Sequence, residues 1–237
     1  LSSETLPEFR EYERTSTICI NAYVMPKVNN YVGFLESRLK ASGIASDLYI
    51  MQSNGGVITA ETARAESART VLSGPAGGAL TGELLARTTQ NENVITVDVG
   101  GTSSDICLIE ATQAGLTTES DIEGYPIKLP MIDINTIGAG GGSIAWIDPG
   151  GALQVGPVSS GSVPGPVCYG RGGTEPTVTD ANAILGRINP EYILGGEMRV
   201  HLEDACKVMQ DKIAAPLGLD LLEAAEGIIR VVNANMV

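Results

Sequence analysis

The sequence predicts an α/β protein, and three observations carry that prediction. Apolar β-branched runs bounded by Gly-rich turns recur along the chain, most clearly at residues 94–99 and 106–109. Other stretches place apolar residues at helical spacing: Val28, Val32, Leu35 and Leu39, and later Leu221, Ala225, Ile228, Val232 and Met236. The composition agrees, since 237 residues at 43% hydrophobic and 18% charged suffice for one large domain or two small ones. Frequent Gly (29) and scarce aromatics (4%) imply many tight turns around an aliphatic core.

A net charge of −13 argues against nucleic acid or an anionic membrane as a partner. It does not exclude ATP, which a local nest of backbone N–H groups can hold. Cys19, Cys107, Cys168 and Cys206 lie far apart without a Cys-x-x-Cys pair, so zinc and thioredoxin-like readings lack support. Reduced thiols and a cytoplasmic location are the default. No apolar run approaches the ~20 residues of a membrane helix, and no signal-peptide pattern is visible. The chain opens at Leu1 in polar sequence, and the helical pattern of 220–237 has no C-terminal Gly, Pro or polar tail. Both ends therefore read as cut from a longer polypeptide.

Taken in order, residues 1–17 are polar and read as an exposed lead-in. A helix is expected from Pro26 to Gly43, with Tyr31 on its apolar face. Residues 47–52 form a strand candidate, and Ser53-Asn54-Gly55-Gly56 is a turn that could also show Asn54 to a ligand. Thr59 suits the N-cap of a short helix to Glu66. Residues 69–72 read as a strand, and Ser73-Gly74-Pro75 opens a helix whose small residues allow close packing. Residues 111–124, with Asp121 and Glu123, read as a turn region. Residues 125–137 suggest one or two strands, with Asp133, Asn135 and Thr136 as polar interruptions. A hairpin is expected over residues 143–155, then a loop rich in Gly and Pro. A helix follows from Val178 with Thr179 as its cap and Asp180 in its first turn. After the Gly195-Gly196 turn come two further helices, 202–217 and 220–237.

The densest chemistry is at residues 94–109, where an apolar run ends in Asp98-Val-Gly100-Gly101-Thr102-Ser103-Ser104-Asp105 and a second run follows. Adjacent glycines let backbone N–H groups approach an anion. The hydroxyls can add donors, and the carboxylates can hold Mg²⁺ or orient a water. Gly-Gly between strands is equally an ordinary hairpin turn. It is not a P-loop: no Lys follows the glycines, and a strand follows rather than a helix. The run Gly138-Ala139-Gly140-Gly141-Gly142 poses the same choice between an anion cradle and a crowded backbone crossing. Asp180 reads either as helix-dipole complementarity or as a site carboxylate. Cys168 lacks support as a nucleophile, because the one histidine, His201, stands in a different context.

Together these stretches resemble the hydantoinase A / 5-oxoprolinase family. The resemblance rests on Met51-Gln-Ser-Asn-Gly-Gly56, Leu72-Ser-Gly-Pro-Ala76, Asp98-Val-Gly-Gly-Thr-Ser103, the run 133–143, Pro164-Gly-Pro-Val-Cys-Tyr-Gly-Arg-Gly-Gly173 and Thr177-Val-Thr-Asp-Ala-Asn182. The matches span nearly the whole chain. Ser104 stands where relatives commonly have Thr.

The resemblance implies an actin-like ATPase (RNase H-like) fold, a mixed sheet with flanking helices. The chain would cover mostly the second half of that two-lobed fold, with 1–88 ending the first lobe and 89–237 forming a truncated second lobe. It further implies an ATP- and Mg²⁺-dependent opening of hydantoin or 5-oxoproline rings through a phosphorylated amide, with a second, hydantoinase B-like subunit or its fused equivalent. On that map Gly100, Gly101, Thr102, Ser103, Gly140 and Gly141 face the nucleotide. Asp98 and Asp105 act on the metal or the attacking group, and Asp180, Asn135 and Asn54 face the substrate. A sugar-kinase-like phosphotransferase, a ketone carboxylase subunit and a non-catalytic assembly subunit are the alternatives. The family's first phosphate hairpin and its adenosine motif are absent from the chain, so this piece alone is expected to be inactive.

Overall fold

A computed structural model describes residues 2–7, 9–122, 124–191, 193 and 196–237. Its first elements are α1 (Ser2–Thr5), α2 (Glu11–Ala41), β1 (Tyr49–Met51), β2 (Val57–Thr59), α3 (Ala60–Ala65) and α4 (Ser73–Thr89). Then come β3 (Val94–Val99), β4 (Ser104–Glu110), β5 (Gln113–Ala114), β6 (Leu116–Thr117), β7 (Ser120–Ile122), β8 (Tyr125–Ile127), β9 (Met131–Ile132) and β10 (Asn135–Ile137). The chain ends with β11 (Ser143–Ile147), β12 (Leu153–Ser159), α5 (Val178–Ile184), α6 (Leu202–Met209), α7 (Ala215–Leu217) and α8 (Leu221–Met236). This is a mixed α/β architecture. The principal sheet runs β10-β4-β3 with β5 added to β4, and separate two-stranded ribbons pair β1 with β2, β6 with β9, β7 with β8 and β11 with β12. No helix among the described residues is long and apolar enough to cross a membrane.

The chain forms two compact units. The first holds residues 1–96 and 107–135, and the second residues 97–106 and 136–237. The division passes through the β3–β4 hairpin, whose tip belongs to the second unit. These units are defined by packing.

In the first unit, α2 starts well before Pro26 and carries that proline inside it, so the exposed lead-in is replaced by helix. Glu11 and Glu13 in the first turn and Arg38 and Lys40 in the last complement the helix dipole. Polar side chains anchor it. The Thr17 hydroxyl accepts from the Lys128 amide at 3.0 Å, and Asn21 accepts from the Ala68 amide at 2.8 Å. Val32 is buried, whereas Tyr31 is 65% exposed and does not share its face. Thr59 caps α3 as expected, accepting from Thr62 N at 3.2 Å. Residues 69–72 do not form a strand: a 3₁₀ turn (Ser67–Thr70) leads into α4. The small residues of α4 serve close packing, with Ala76, Ala79 and Ala86 buried against Cys107, Ile109 and Ile132. Three short strands, β8 to β10, replace the one or two expected over 125–137. Glu123 lies outside the described residues.

In the second unit, β11 and β12 form the expected hairpin around residues 148–151. The core gathers Ala145, Val155, Met209, Ile213, Ala225, Ile228 and Val232. The cap of α5 is Thr177 rather than Thr179, in a reciprocal box with Asp180. The predicted 202–217 helix is α6 followed by a π turn (Gln210–Ala214) and α7. Asp220 and Glu223 form a second capping box that starts α8. Of the turn before α6, Gly195 lies outside the described residues.

Candidate functional site

The tip of the β3–β4 hairpin is a tight turn closed by the Gly100 amide donating to the Ser103 carbonyl at 2.8 Å. It does not stand alone. The Gly141 amide donates to the Gly100 carbonyl at 2.9 Å, and the Gly142 amide to the Gly101 carbonyl at 2.6 Å. The glycine run is therefore a strap laid across the hairpin tip. A Cβ on Gly140 would sit 2.7 Å from the Gly100 oxygen and 2.9 Å from Ser103 N, so only glycine permits this approach.

The strap is itself held on every side. Ser104 donates its hydroxyl to the Ala139 carbonyl at 2.5 Å, and Gly140 N donates to the Ser143 hydroxyl at 2.9 Å. The Gly141 carbonyl accepts from both the amide and the hydroxyl of Thr179, each at 2.8 Å. The Gly142 carbonyl accepts from the Ser160 amide at 2.9 Å and its hydroxyl at 3.2 Å. Of the two readings of residues 138–142, the structure builds the crowded crossing. The amides of Gly140, Gly141 and Gly142 are consumed within the protein and are not free to cradle an anion. Ser104 likewise faces inward, fully buried, with its hydroxyl on the strap.

What remains free is on the hairpin. Among the described residues the amides of Gly101 and Thr102 and the hydroxyls of Thr102 and Ser103 meet no hydrogen-bond partner within the protein. A cleft of about 370 Å³ opens beside them, lined by Gly101, Thr102, Gly142, Ser162, Tyr169 and Thr179 among others. Asp98 is exposed near the end of β3. Asp105 accepts the Thr136 hydroxyl at 2.6 Å through one oxygen only. Among the described residues no three His, Cys, Asp or Glu side chains come together as a metal cluster.

Of the three polar residues expected at the substrate, Asp180 shares the second unit with this cleft. Asp180 is fully buried. One oxygen accepts from Cys168 N at 2.7 Å, and the other from Val167 N at 3.3 Å, Thr177 N at 2.9 Å and the Thr177 hydroxyl at 2.8 Å. Its carboxylate is saturated by the loop and helix cap it ties together, which corrects the expectation that it faces a ligand. Asn54 belongs to the first unit, where its side-chain oxygen accepts from Gly56 N at 2.9 Å and closes the β1–β2 turn. Asn135 is exposed, also in the first unit. Burial, with Asp180 alongside, pushes the Cys168 thiol far above its ordinary pKa, so it is a protonated core group and no nucleophile.

Sequence reasoning missed Ser143, Ser160 and Ser162, and read Thr179 as a helix cap. The Ser159-Ser160-Gly161-Ser162 cluster was the available signal, but nothing in its spacing says that it meets residues 100–142.

A family model described as hydantoinase/oxoprolinase matches residues 14–237. Caprolactamase subunit alpha of Pseudomonas jessenii is 44% identical over 99% of this chain and 34% of its own length. The 5-oxoprolinase of Dictyostelium discoideum is 35% identical over 81% of this chain and 16% of its own. A nucleotide-free structure of acetone carboxylase, described as ATP-dependent, superposes with a TM-score of 0.91 at 30% identity, covering 99% of this chain and 33% of that one. The chain thus spans about a third of the length of caprolactamase subunit alpha and of the acetone carboxylase chain, or less of the oxoprolinase. A single family runs through the strap, the hairpin and the Asp180 loop: the chain belongs to the hydantoinase/oxoprolinase family.

Proposed function

We propose that the β3–β4 hairpin is a phosphate-binding loop of an ATP-dependent enzyme that opens cyclic amides such as hydantoins, 5-oxoproline or lactams. The observation that carries this reading is the pair of unpartnered amides at Gly101 and Thr102 beside two unpartnered hydroxyls at an open cleft. In the intact protein the hairpin would be the second of two phosphate loops in an actin-like frame. Residues 1–88 would then end the first lobe and 89–237 begin the second. A second subunit, or a fused equivalent, would complete the enzyme; caprolactamase alpha is itself named as a subunit.

The chemistry follows from charge. An amide carbonyl is a poor electrophile. Transfer of the γ-phosphoryl group of ATP to its oxygen, with ADP leaving and the amide nitrogen giving up its proton, would open the carbon to water. The tetrahedral adduct would expel the ring nitrogen as it takes up a proton, and the acyl phosphate so formed would be hydrolysed to carboxylate and phosphate. Gly101 N, Thr102 N and the Thr102 and Ser103 hydroxyls would donate to phosphoryl oxygens, fixed beforehand at the place where charge develops. Asp98 and the free oxygen of Asp105 suit Mg²⁺, a hard cation that takes oxygen ligands and keeps several waters. Bound there, the ion would neutralise phosphoryl charge. The exposed Asp98 carboxylate would also orient an attacking group.

A second reading, carboxylation of a ketone, is favoured by the TM-score of 0.91 against acetone carboxylase, above the 0.76 of caprolactamase from P. jessenii. Fold similarity does not report substrate. Sequence identity, 44% to caprolactamase subunit alpha against 39% to the acetophenone carboxylase gamma subunit and 30% to acetone carboxylase, leans by a small margin to the cyclic amide. The test is ATP hydrolysis by the intact enzyme, with any copurifying subunit, against hydantoins, 5-oxoproline, lactams, and ketones with bicarbonate. A cyclic amide is expected to stimulate it. Asp98→Asn is expected to lower kcat by about 10²-fold or more, in the range of losing one group acting on transition-state charge. Unchanged turnover in Asp98→Asn would remove the hairpin from the chemistry.

A further inference from the structure

The strap over residues 140–142 binds no ligand through its own amides, yet it determines where the hairpin's amides point. A trans peptide is planar, so the C=O of one residue and the N–H of the next are antiparallel. The peptides on either side of Gly101 are trans. Fixing the Gly100 carbonyl on Gly141 N therefore aims the Gly101 N–H away from the strap. Fixing the Gly101 carbonyl on Gly142 N aims the Thr102 N–H the same way. Without these two bonds a Gly-Gly turn has wide torsional freedom, and either plane can flip.

We infer that the glycine strap and its anchor Thr179 are positioning elements for phosphoryl-oxyanion binding: they lock two adjacent peptide planes of the hairpin so that the Gly101 and Thr102 amides converge on one anion. The inference rests on the reading of the hairpin as the phosphate loop and deepens it. Three features of the structure support it. Both strap-to-hairpin bonds go to the two carbonyls whose partner N–H groups are unpartnered. The strap's own carbonyls are each held by an amide and a hydroxyl of one residue, Thr179 for Gly141 and Ser160 for Gly142. The glycines are required by contact, since a Cβ on Gly142 would meet the Gly101 oxygen and the Ser159 hydroxyl, both at 2.8 Å. A chain that only needed to turn at 138–142 would not need double anchoring and sub-van der Waals access to the hairpin backbone.

Thr179 is the sharper probe, because its amide continues to hold Gly141 when its hydroxyl is removed. Steady-state kinetics on the intact enzyme, with Mg-ATP and the ring substrate varied separately, compare Gly140→Ala, Thr179→Val and Thr179→Ser with the parent and with Asp98→Asn. Gly140→Ala is expected to raise KM for ATP by about tenfold or more, the effect of misaligning a charge-assisted bond to an oxyanion. KM for the ring substrate should be unchanged. Thr179→Val should shift KM for ATP in the same direction by a smaller factor, and Thr179→Ser should restore it. A strap that merely supported the fold would move both KM values or neither, and serine would not rescue. If KM for ATP is unchanged in both Gly140→Ala and Thr179→Val while Asp98→Asn is inactive, the positioning role is wrong and the phosphate loop stands. If Asp98→Asn is as active as the parent, both fall. Should Gly140→Ala not fold, the Val and Ser pair at position 179 decides.

Discussion

Asp180 shows how one side chain can carry opposite readings until its partners are known. Its place in the first turn of α5 fits both a dipole partner and a catalytic carboxylate. Four donors from Val167, Cys168 and Thr177 decide the matter, because a saturated, fully buried carboxylate has nothing left for a ligand. The same loop buries Cys168, and its raised pKa has a consequence for stability. The folded state keeps this thiol protonated, whereas an unfolded thiol ionises at about pH 8.5. Above that pH the native state binds more protons than the unfolded one, so stability falls as pH rises. Below it the contribution is fully present. Urea midpoints between neutral and alkaline pH are expected to decline, and Cys168→Ala to decline less steeply. Cys107 and Cys206 shift in the same direction and add to the slope. An identical slope in Cys168→Ala would mean that its thiol is not shielded as described.

Elements were legible where a local rule governs them. The capping residue Thr59 and the hairpin over 143–155 obey turn and cap chemistry that adjacent residues reveal. Helix α2 was not legible upstream of Pro26, because Thr17 and Asn21 are buried by hydrogen bonds to residues 68 and 128, far away in sequence. Apolar periodicity has no sensitivity to that kind of anchor. Helix α4 was legible as small-residue packing, and its glycines differ in a testable way. A Cβ on Gly82 would lie 2.3 Å from the Thr96 side chain, while one on Gly78 would meet nothing within 4 Å. Gly82→Ala is expected to destabilise by about 1–3 kcal/mol through overpacking. Gly78→Ala should stabilise by about 0.5–1 kcal/mol, since helical glycine is entropically costly. Thermal denaturation of the two variants checks this, and equal effects would contradict the packing of α4 against β3.

At the scale of the molecule, the family was legible because its motifs recur in order, but the geometry that joins them was not. Residues 98–105, 138–143, 160 and 179 meet in one unit through backbone bonds and three hydroxyls, and neither the glycines nor the hydroxyls say in sequence which segment they meet. Sequence could offer the anion cradle and the crowded crossing as rival uses of glycine. The structure builds the crossing at residues 140–142 and leaves the amides of Gly101 and Thr102 unpartnered. The central claim is that these two amides hold a phosphoryl group. It is tested most directly by a crystal structure of the intact enzyme with Mg²⁺ and a non-hydrolysable ATP analogue. A phosphate oxygen is predicted within about 3.2 Å of Gly101 N and Thr102 N, the range of an N–H···O bond. Phosphates bound elsewhere, with those amides facing water, would contradict it.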